Sequence, residues 1–202
     1  KMAFHKMGYK VKFKFIDWQA KKKLLENQKI DCIWSCYTMD GREEEYKWAG
    51  PYMKSNQVIA VNMDSDIYTM DDLNGKTIAV QTSTKPEDLF RTHKNVPQFR
   101  KVISVQNRDL IYTFLSKGYV DAIAAHDTSI VQFMEDFDLE YRILDEPLLT
   151  VGLGVAFDKK TDEDVVNQLN QKLNDMRKDG TIKKIVSKYI SNADAYLGGF
   201  DE

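Results

Sequence analysis

Apolar and polar positions change their rhythm along the chain. Met2, Ala3, Phe4 and Met7 form a short helical stripe that Gly8 stops. Val11, Phe13 and Phe15 then alternate with Lys12 and Lys14, the period-two pattern of a half-buried strand. Residues 19–27 predict a short helix with Leu24 and Leu25 inward. The run Ile30–Tyr37 is apolar on both faces, which predicts a strand central in a sheet. Residues 38–50 are polar and turn-rich, and 57–61 predict another short strand.

From residue 71 the pattern settles into strand–helix alternation. Thr77–Val80 predicts a strand, and the polar turn Gln81–Thr84 opens a helix through about His93. A strand at 101–105 follows, then a helix at 109–117 with Leu110, Ile111, Phe114 and Leu115 on one face. Asp121–Ala125 is the next strand, Thr128–Glu135 the next helix, and Tyr141–Ile143 and Leu153–Phe157 are further strands. This alternation predicts an α/β fold, a mainly parallel sheet with helices on both faces.

Two helices close the chain. The first sets Val165, Val166, Leu169, Leu173 and Met176 on one face, with Thr161 or Asp162 as its cap and Gly180 at its end. Thr181 caps the second, which carries Ile182, Ile185, Val186, Tyr189 and Ile190; the tail after Ser191 is predicted to be loose. The short strands 57–61 and 153–157 flank the alternating block. Side by side, they would carry the chain to a second lobe and back, a two-lobed architecture whose cleft suits a small ligand.

Composition narrows the function classes. The chain has 202 residues, 43% hydrophobic, enough for a core and against disorder. A net charge of −2 excludes a general nucleic-acid binder, which needs a basic excess. The charge is uneven: residues 1–30 hold nine lysines and two acids, a net of +7, leaving −9 for the rest. A membrane-facing patch is one reading; a solvated helix face formed by Lys21, Lys22 and Lys23 is the simpler one. No apolar run approaches the ~20 residues of a membrane span. The opening KMAFHKMGYK has no leader pattern, which leaves the compartment open. Cys32 and Cys36 would lie ~13 Å apart along a strand, too far for a disulfide, and read as buried, reduced thiols. Only His5, His93 and His126 are present, isolated in sequence, so neither a metal site nor a cofactor is predicted.

Three elements carry candidate chemistry. In Ser35-Cys36-Tyr37-Thr38 with Arg42, a guanidinium offers a planar fork for a carboxylate. Taken alone, the segment is better explained by a surface arginine paired to Glu43, Glu44 or Glu45. In Gln81-Thr82-Ser83-Thr84-Lys85-Pro86, hydroxyls sit at a helix N-terminus, which binds anions; simple capping by Ser83 or Thr84 is the alternative. Asp127 ends a strand where α/β sheets line their ligand crevice, and could hold an ammonium or cap the next helix. Together they suit a zwitterionic α-amino acid, with Trp18 as an apolar wall or a core residue.

These residues stand among further motifs. They are Asp17-Trp18; Lys29-Ile30-Asp31; Thr38 followed by Arg42; Trp48-Ala49-Gly50-Pro51-Tyr52; Asp72-Leu73-Asn74-Gly75-Lys76 leading to Ala79-Val80-Gln81; Lys117-Gly118 then Val120-Asp121-Ala122; and Asp179-Gly180-Thr181. In this order, over nearly the whole chain, they resemble the family 3 extracellular solute-binding proteins, the amino-acid receptors of ABC importers. The resemblance implies a type II periplasmic-binding-protein fold. Lobe 1 would be residues 1–60 with 157–202 and lobe 2 residues 63–151, with hinge strands near 57–62 and 152–156. It implies that Arg42 binds the ligand α-carboxylate, helped by Thr38 and the backbone near Cys36. Thr84 with Ser83 would contribute from lobe 2, Asp127 would take the α-ammonium, and Trp18 would stack on the ligand. Cys36 stands where a small residue is usual and would narrow the pocket.

The same resemblance implies a membrane permease as partner and an extracytoplasmic address, in the periplasm or at the cell surface, with a lipid anchor through a missing N-terminus as one form. The family's opening strand and most of its first helix lack a counterpart here. The expectation is that the gene encodes that segment, or that a neighbouring chain covers the gap in an otherwise monomeric protein. A sensor domain of a signalling receptor is the alternative function, and a cyclic-acid dehydratase, which needs an acid/base pair in the cleft, a distant third. The ligand's side chain is not readable: an acidic ligand would need a second cation in the pocket, a basic one a second acid.

Overall fold

A computed structural model describes residues 1–92, 96–190 and 192–198. The chain divides into two compact units, residues 1–55 with 151–202 and residues 56–150. Two strands pass from one to the other, β1 (Lys47–Asn62) and β6 (Leu149–Phe157), and they pair with each other.

The unit formed by residues 56–150 is built on one sheet. Its strands are β2 (Thr77–Gln81), β3 (Lys101–Val105), β4 (Ala122–His126), β5 (Tyr141–Ile143) and the second half of β1, in the order β3-β2-β4-β1-β5. β2 runs parallel to β3 and β4, while β1 is antiparallel to β4 and β5. Successive side chains point to opposite faces, and both faces are covered. Val58, Ala60, Ala79 and Ile123 pack with Ile111, Tyr112 and Leu115 of α4 (Asp109–Ser116) and Ile130 of α5 (Asp127–Phe137). Ile59, Val61, Ile78, Val80, Ala122 and Ala124 pack on the other side with Ile67 and Leu73. Two buried faces explain why these strands read as continuous apolar runs. The helix α3 (Lys85–Thr92) follows β2; the predicted end at His93 lies outside the described residues.

In the other unit, Val155 and Phe157 of β6 pack with Ala3 of α1 (Met2–Lys6) and with Val166, Leu169, Leu173 and Met176 of α6 (Glu163–Lys178). Asp162 caps α6, accepting a hydrogen bond from the Asp164 N–H. Ala156 turns the other way, to Ile33, Tyr37, Tyr46 and Leu25 of α2 (Lys21–Glu26). Gly154 is required between them, because a Cβ there would lie 2.6 Å from the Met39 side chain and 2.8 Å from the Trp48 ring.

Several sequence expectations are corrected. Residues 11–15 form no regular strand: Phe13 and Phe15 are 76% and 105% exposed, and no described strand pairs with the segment. Alternation signals a preference, but a strand exists only where a ladder partner is present. Ile30–Tyr37 is not a regular strand either. It makes two isolated antiparallel bridges to β6, Ile33 with Ala156 and Thr38 with Leu153. Between them the Tyr37 N–H donates to the Ser35 carbonyl at 2.7 Å, a tight turn around Cys36 that breaks the ladder. Conversely, β1 begins at Lys47, inside the stretch read as turns; its first eight residues are mostly half-buried on both faces, so no alternation betrays it.

At the other end of the chain, α7 (Thr181–Val186) is capped by Gly180 at φ 75° rather than by Thr181, and it stops before Tyr189, which is exposed. A further helix, α8 (Ala193–Leu197), lies in the tail predicted to be loose. Both cysteines are half-buried free thiols rather than fully buried; burial, then the neighbouring Asp31, pushes the Cys32 thiol up to about 12. Among the described residues no helix is long and apolar enough to cross a membrane.

Candidate functional site

In the first unit Tyr37 is the hub. Its ring meets Trp18 edge-on at 5.4 Å, and Tyr46 and Trp48 at 5.6 and 5.4 Å. Its hydroxyl donates to Tyr46 Oη at 3.0 Å, and burial followed by this bond drives its pKa well above the usual phenol range. The Arg42 guanidinium carbon stands 5.1 Å from the Tyr37 ring centroid, and Nη1 donates to the Thr38 carbonyl at 3.2 Å. Behind it, Trp48 Nε1 donates to the Arg42 carbonyl at 3.1 Å and fixes the loop. Two of the neighbouring acids make contacts of their own: Glu45 pairs with Lys22 at 3.0 Å, and Glu43 accepts the Gly41 N–H. Trp18, Thr38 and Arg42 are thus brought together around Tyr37. Cys36 occupies the tight turn beside them, and its thiol is close enough to help raise the Tyr52 hydroxyl's pKa, after burial.

Lys21 corrects the reading of a solvated lysine face. Lys22 and Lys23 are exposed, but Lys21 is only 7% exposed. Its Nζ donates to the Trp18 carbonyl at 3.2 Å and lies 4.7 Å from the Trp18 ring centroid. Burial first, then the Arg42 charge, lowers its pKa to about 8, partly offset by Glu45 and Asp17. Successive residues stand about 100° apart around a helix, so three consecutive lysines do not share one face, and the sequence pattern does not say which of them turns inward.

In the second unit, the remaining candidates lie at the carboxyl ends of β2 and β4, neighbouring parallel strands, and so at one edge of the sheet. Ser83 takes φ 61° in the turn after β2, and its N–H donates to Glu87 Oε2 at 2.7 Å. The anion-binding start of α3 therefore already serves a buried carboxylate of its own chain. Thr84 donates its hydroxyl to the Gln81 carbonyl, which leaves its oxygen as an acceptor.

Asp127 is the first residue of α5, follows the cap position His126, and is 6% exposed. Oδ1 accepts the Thr128 N–H at 2.7 Å and the Asn56 N–H at 3.3 Å; Oδ2 accepts Asn56 Nδ2 at 3.0 Å. Asn56 Oδ1 accepts the Thr150 hydroxyl at 2.7 Å in turn. Neither Asn56 nor Thr150 stands out in the sequence; they are 71 and 23 positions from Asp127, and only the pairing of strands assembles them. Among the described residues no group of three or more metal-ligating side chains occurs.

The chain matches the profile of the bacterial extracellular solute-binding proteins, family 3, over residues 1–192. It belongs to that family. The histidine-binding periplasmic protein of Escherichia coli K12 is 28% identical over 183 residues, spanning 86% of this chain and 69% of the relative. A putative amino-acid ABC transporter-binding protein of Vibrio harveyi is 29% identical, over 90% and 73%. Among solved structures, an ABC uptake transporter substrate-binding protein of Streptococcus pneumoniae with bound histidine superposes with a TM-score of 0.85 at 25% identity, covering 95% of this chain and 80% of that one. The substrate-binding protein of an amino acid ABC transporter gives 0.82 at 25% identity, over 94% and 84%. This family 3 chain accordingly has the type II periplasmic-binding-protein fold expected from its motifs.

Proposed function

We propose that this family 3 protein captures an α-amino acid outside the cytoplasm and delivers it to the membrane permease of an ABC importer. The observation that carries the reading is a pair of complementary charges. One unit holds Arg42 against an aromatic ring, and the other holds the buried Asp127 at a sheet edge. Arg42, with Thr38, takes the ligand α-carboxylate through its planar fork. Asp127 takes the α-ammonium, and the Thr84 oxygen accepts from the same group, while Ser83 shapes the turn. Trp18 supports the ligand side chain, and Cys36 narrows its space. A ligand that engages both sets favours the state in which both reach it, so binding shifts a conformational equilibrium. Residues 57–62 and 152–156 are the segments where that motion bends. The protein acts as a monomer, binds no nucleic acid, and returns its ligand unchanged.

The test is a thermal-shift screen of the amino acids followed by calorimetry. At about a hundredfold excess over Kd a ligand stabilises by ~2.7 kcal/mol, which raises Tm by several degrees for a protein of this size. Arg42→Ala should weaken the best ligand at least about a hundredfold while Tm without ligand stays within ~3 °C. Undiminished binding in that variant overturns the assignment.

A further inference from the structure

At the start of α3 the usual capping pattern is displaced by one residue. A Ser or Thr before a helix ordinarily turns its side-chain oxygen to the helix's first N–H groups, and a Glu at the third helical position reaches back to the cap's own N–H. Thr84 precedes α3, and Glu87 is the third residue of the helix. Yet the Glu87 carboxylate reaches past Thr84 to the Ser83 N–H, at 2.7 Å, and the Thr84 hydroxyl donates backward to the Gln81 carbonyl. The turn is pinned on either side: the Thr82 N–H donates to the Val105 carbonyl at 2.8 Å, and the Asp88 N–H to the Thr84 carbonyl at 3.2 Å. Between these pins Ser83 sits at φ 61°, a left-handed conformation that a residue with a side chain rarely adopts. Glu87 is 7% exposed, and its Oε1 stands 3.6 Å from Arg91 Nη2, so the carboxylate is held in place and its charge is partnered. A hydrogen bond from an N–H to a carboxylate is roughly twice as strong as one between neutral groups.

We propose that Glu87 is a positioning residue of the ligand site: by holding the Ser83 N–H it fixes the turn that aims the Thr84 oxygen. The inference rests on the preceding reading, in which Thr84 accepts from the ligand α-ammonium. Glu87 is buried and acts through Ser83 and Thr84 rather than by touching the ligand. Because its carboxylate closes the turn, the Thr84 hydroxyl hydrogen goes to Gln81, and the hydroxyl oxygen keeps its acceptor capacity for an ammonium. The same carboxylate lies at the positive end of the α3 dipole, so this end of the sheet edge suits a cation better than an anion. Without Glu87 the left-handed turn loses the bond that offsets its strain. Ser83 then relaxes, the Thr84 oxygen moves with it, and a hydrogen bond weakens steeply once its distance and angle leave their narrow range.

The experiment is calorimetry of the full chain at pH 7 with the tightest binder among the common L-amino acids. It compares the wild type with Thr84→Val, Glu87→Ala, the double variant, Glu87→Gln and Glu87→Asp, with a urea midpoint for each. Thr84→Val should weaken binding about tenfold or more. Glu87→Ala should weaken it by a similar factor, and the double variant should bind within about twofold of the weaker single one, because both changes remove the same contact. Glu87→Gln, whose amide oxygen accepts the same N–H, should bind within about threefold of the wild type. Glu87→Asp keeps the charge but is one methylene too short, and should bind as weakly as Glu87→Ala; it takes the place of that variant in the cycle if Glu87→Ala does not fold. Wild-type affinity in Glu87→Ala, or losses that multiply in the double variant, overturn the inference and leave the amino-acid reading standing; Glu87 then supports stability alone and shows only in the urea midpoint. Wild-type affinity in Thr84→Val overturns the inference and also strikes Thr84 from the site. Binding of none of the amino acids overturns both readings.

Discussion

Replacing Lys21 by methionine should change the pH dependence of stability in a defined direction. The folded state holds this lysine at about 8, against an ordinary value of 10.5. Below pH 8 the ammonium is charged in both states and the folded protein carries the full burial cost. Between 8 and 10.5 the unfolded chain binds more protons than the folded one, so stability rises with pH. At ~1.4 kcal/mol per tenfold change in proton affinity, the cost at pH 7 has a ceiling of ~3 kcal/mol. Among the contacts that offset it are the ammonium over the Trp18 ring, ~0.5–2 kcal/mol, and its bond to the Trp18 carbonyl, ~1.5–3 kcal/mol.

Lys21→Met keeps most of the volume and removes charge, cost and contacts together. The net change at pH 7 is therefore small, within ~2 kcal/mol of wild type. The decisive quantity is the slope. The wild type should gain up to ~3 kcal/mol relative to Lys21→Met between pH 7 and pH 10. Urea denaturation of both proteins at half-unit intervals measures this, and taking the difference cancels the titration of every other tyrosine, cysteine and lysine. Parallel stability curves would show that Lys21 is not buried as a charge.

Three further outcomes follow from the packing and the polar network. Asn56→Ala takes a side-chain donor from the buried Asp127 carboxylate and should cost about 1.5–3 kcal/mol by urea midpoint, with amino-acid affinity lowered as Asp127 loosens; an unchanged midpoint would mean that Asn56 is dispensable. Gly154→Ala drives a methyl into Met39 and the Trp48 ring and should cost about 1–3 kcal/mol. Because Trp48 holds the Arg42 carbonyl, ligand affinity should fall with it, and calorimetry on the purified variant checks both effects. Leu169→Ala, at a fully buried α6 position, should cost about 2–5 kcal/mol in the same denaturation assay and leave ligand affinity at wild-type level.

The elements of residues 71–143 were legible because each carries its own signal. β2 and β4 are apolar on both faces, α4 repeats at helical spacing, as α6 does further along the chain, and the turns between them are polar. Arg42, Asp127 and Trp18 were legible as candidates because charge type and motif order stand in the chain itself. Other features had no local trace. Lys21 is buried while Lys22 and Lys23 are not, since rotation about a helix axis, set by Tyr37 and Trp18, selects which lysine turns inward. β1 extends back to Lys47 because β6 lies beside it, although its first half lacks alternation. Residues 11–15 have the alternation and find no described partner. Asn56 and Thr150 hold Asp127 only because the strands that carry them meet. Periodicity and capping act within a few residues, so sequence alone determined the elements with a strong local signal and the chemical inventory. Burial, strand pairing and the partners of each charge depend on residues tens of positions away, and those only the tertiary structure decided.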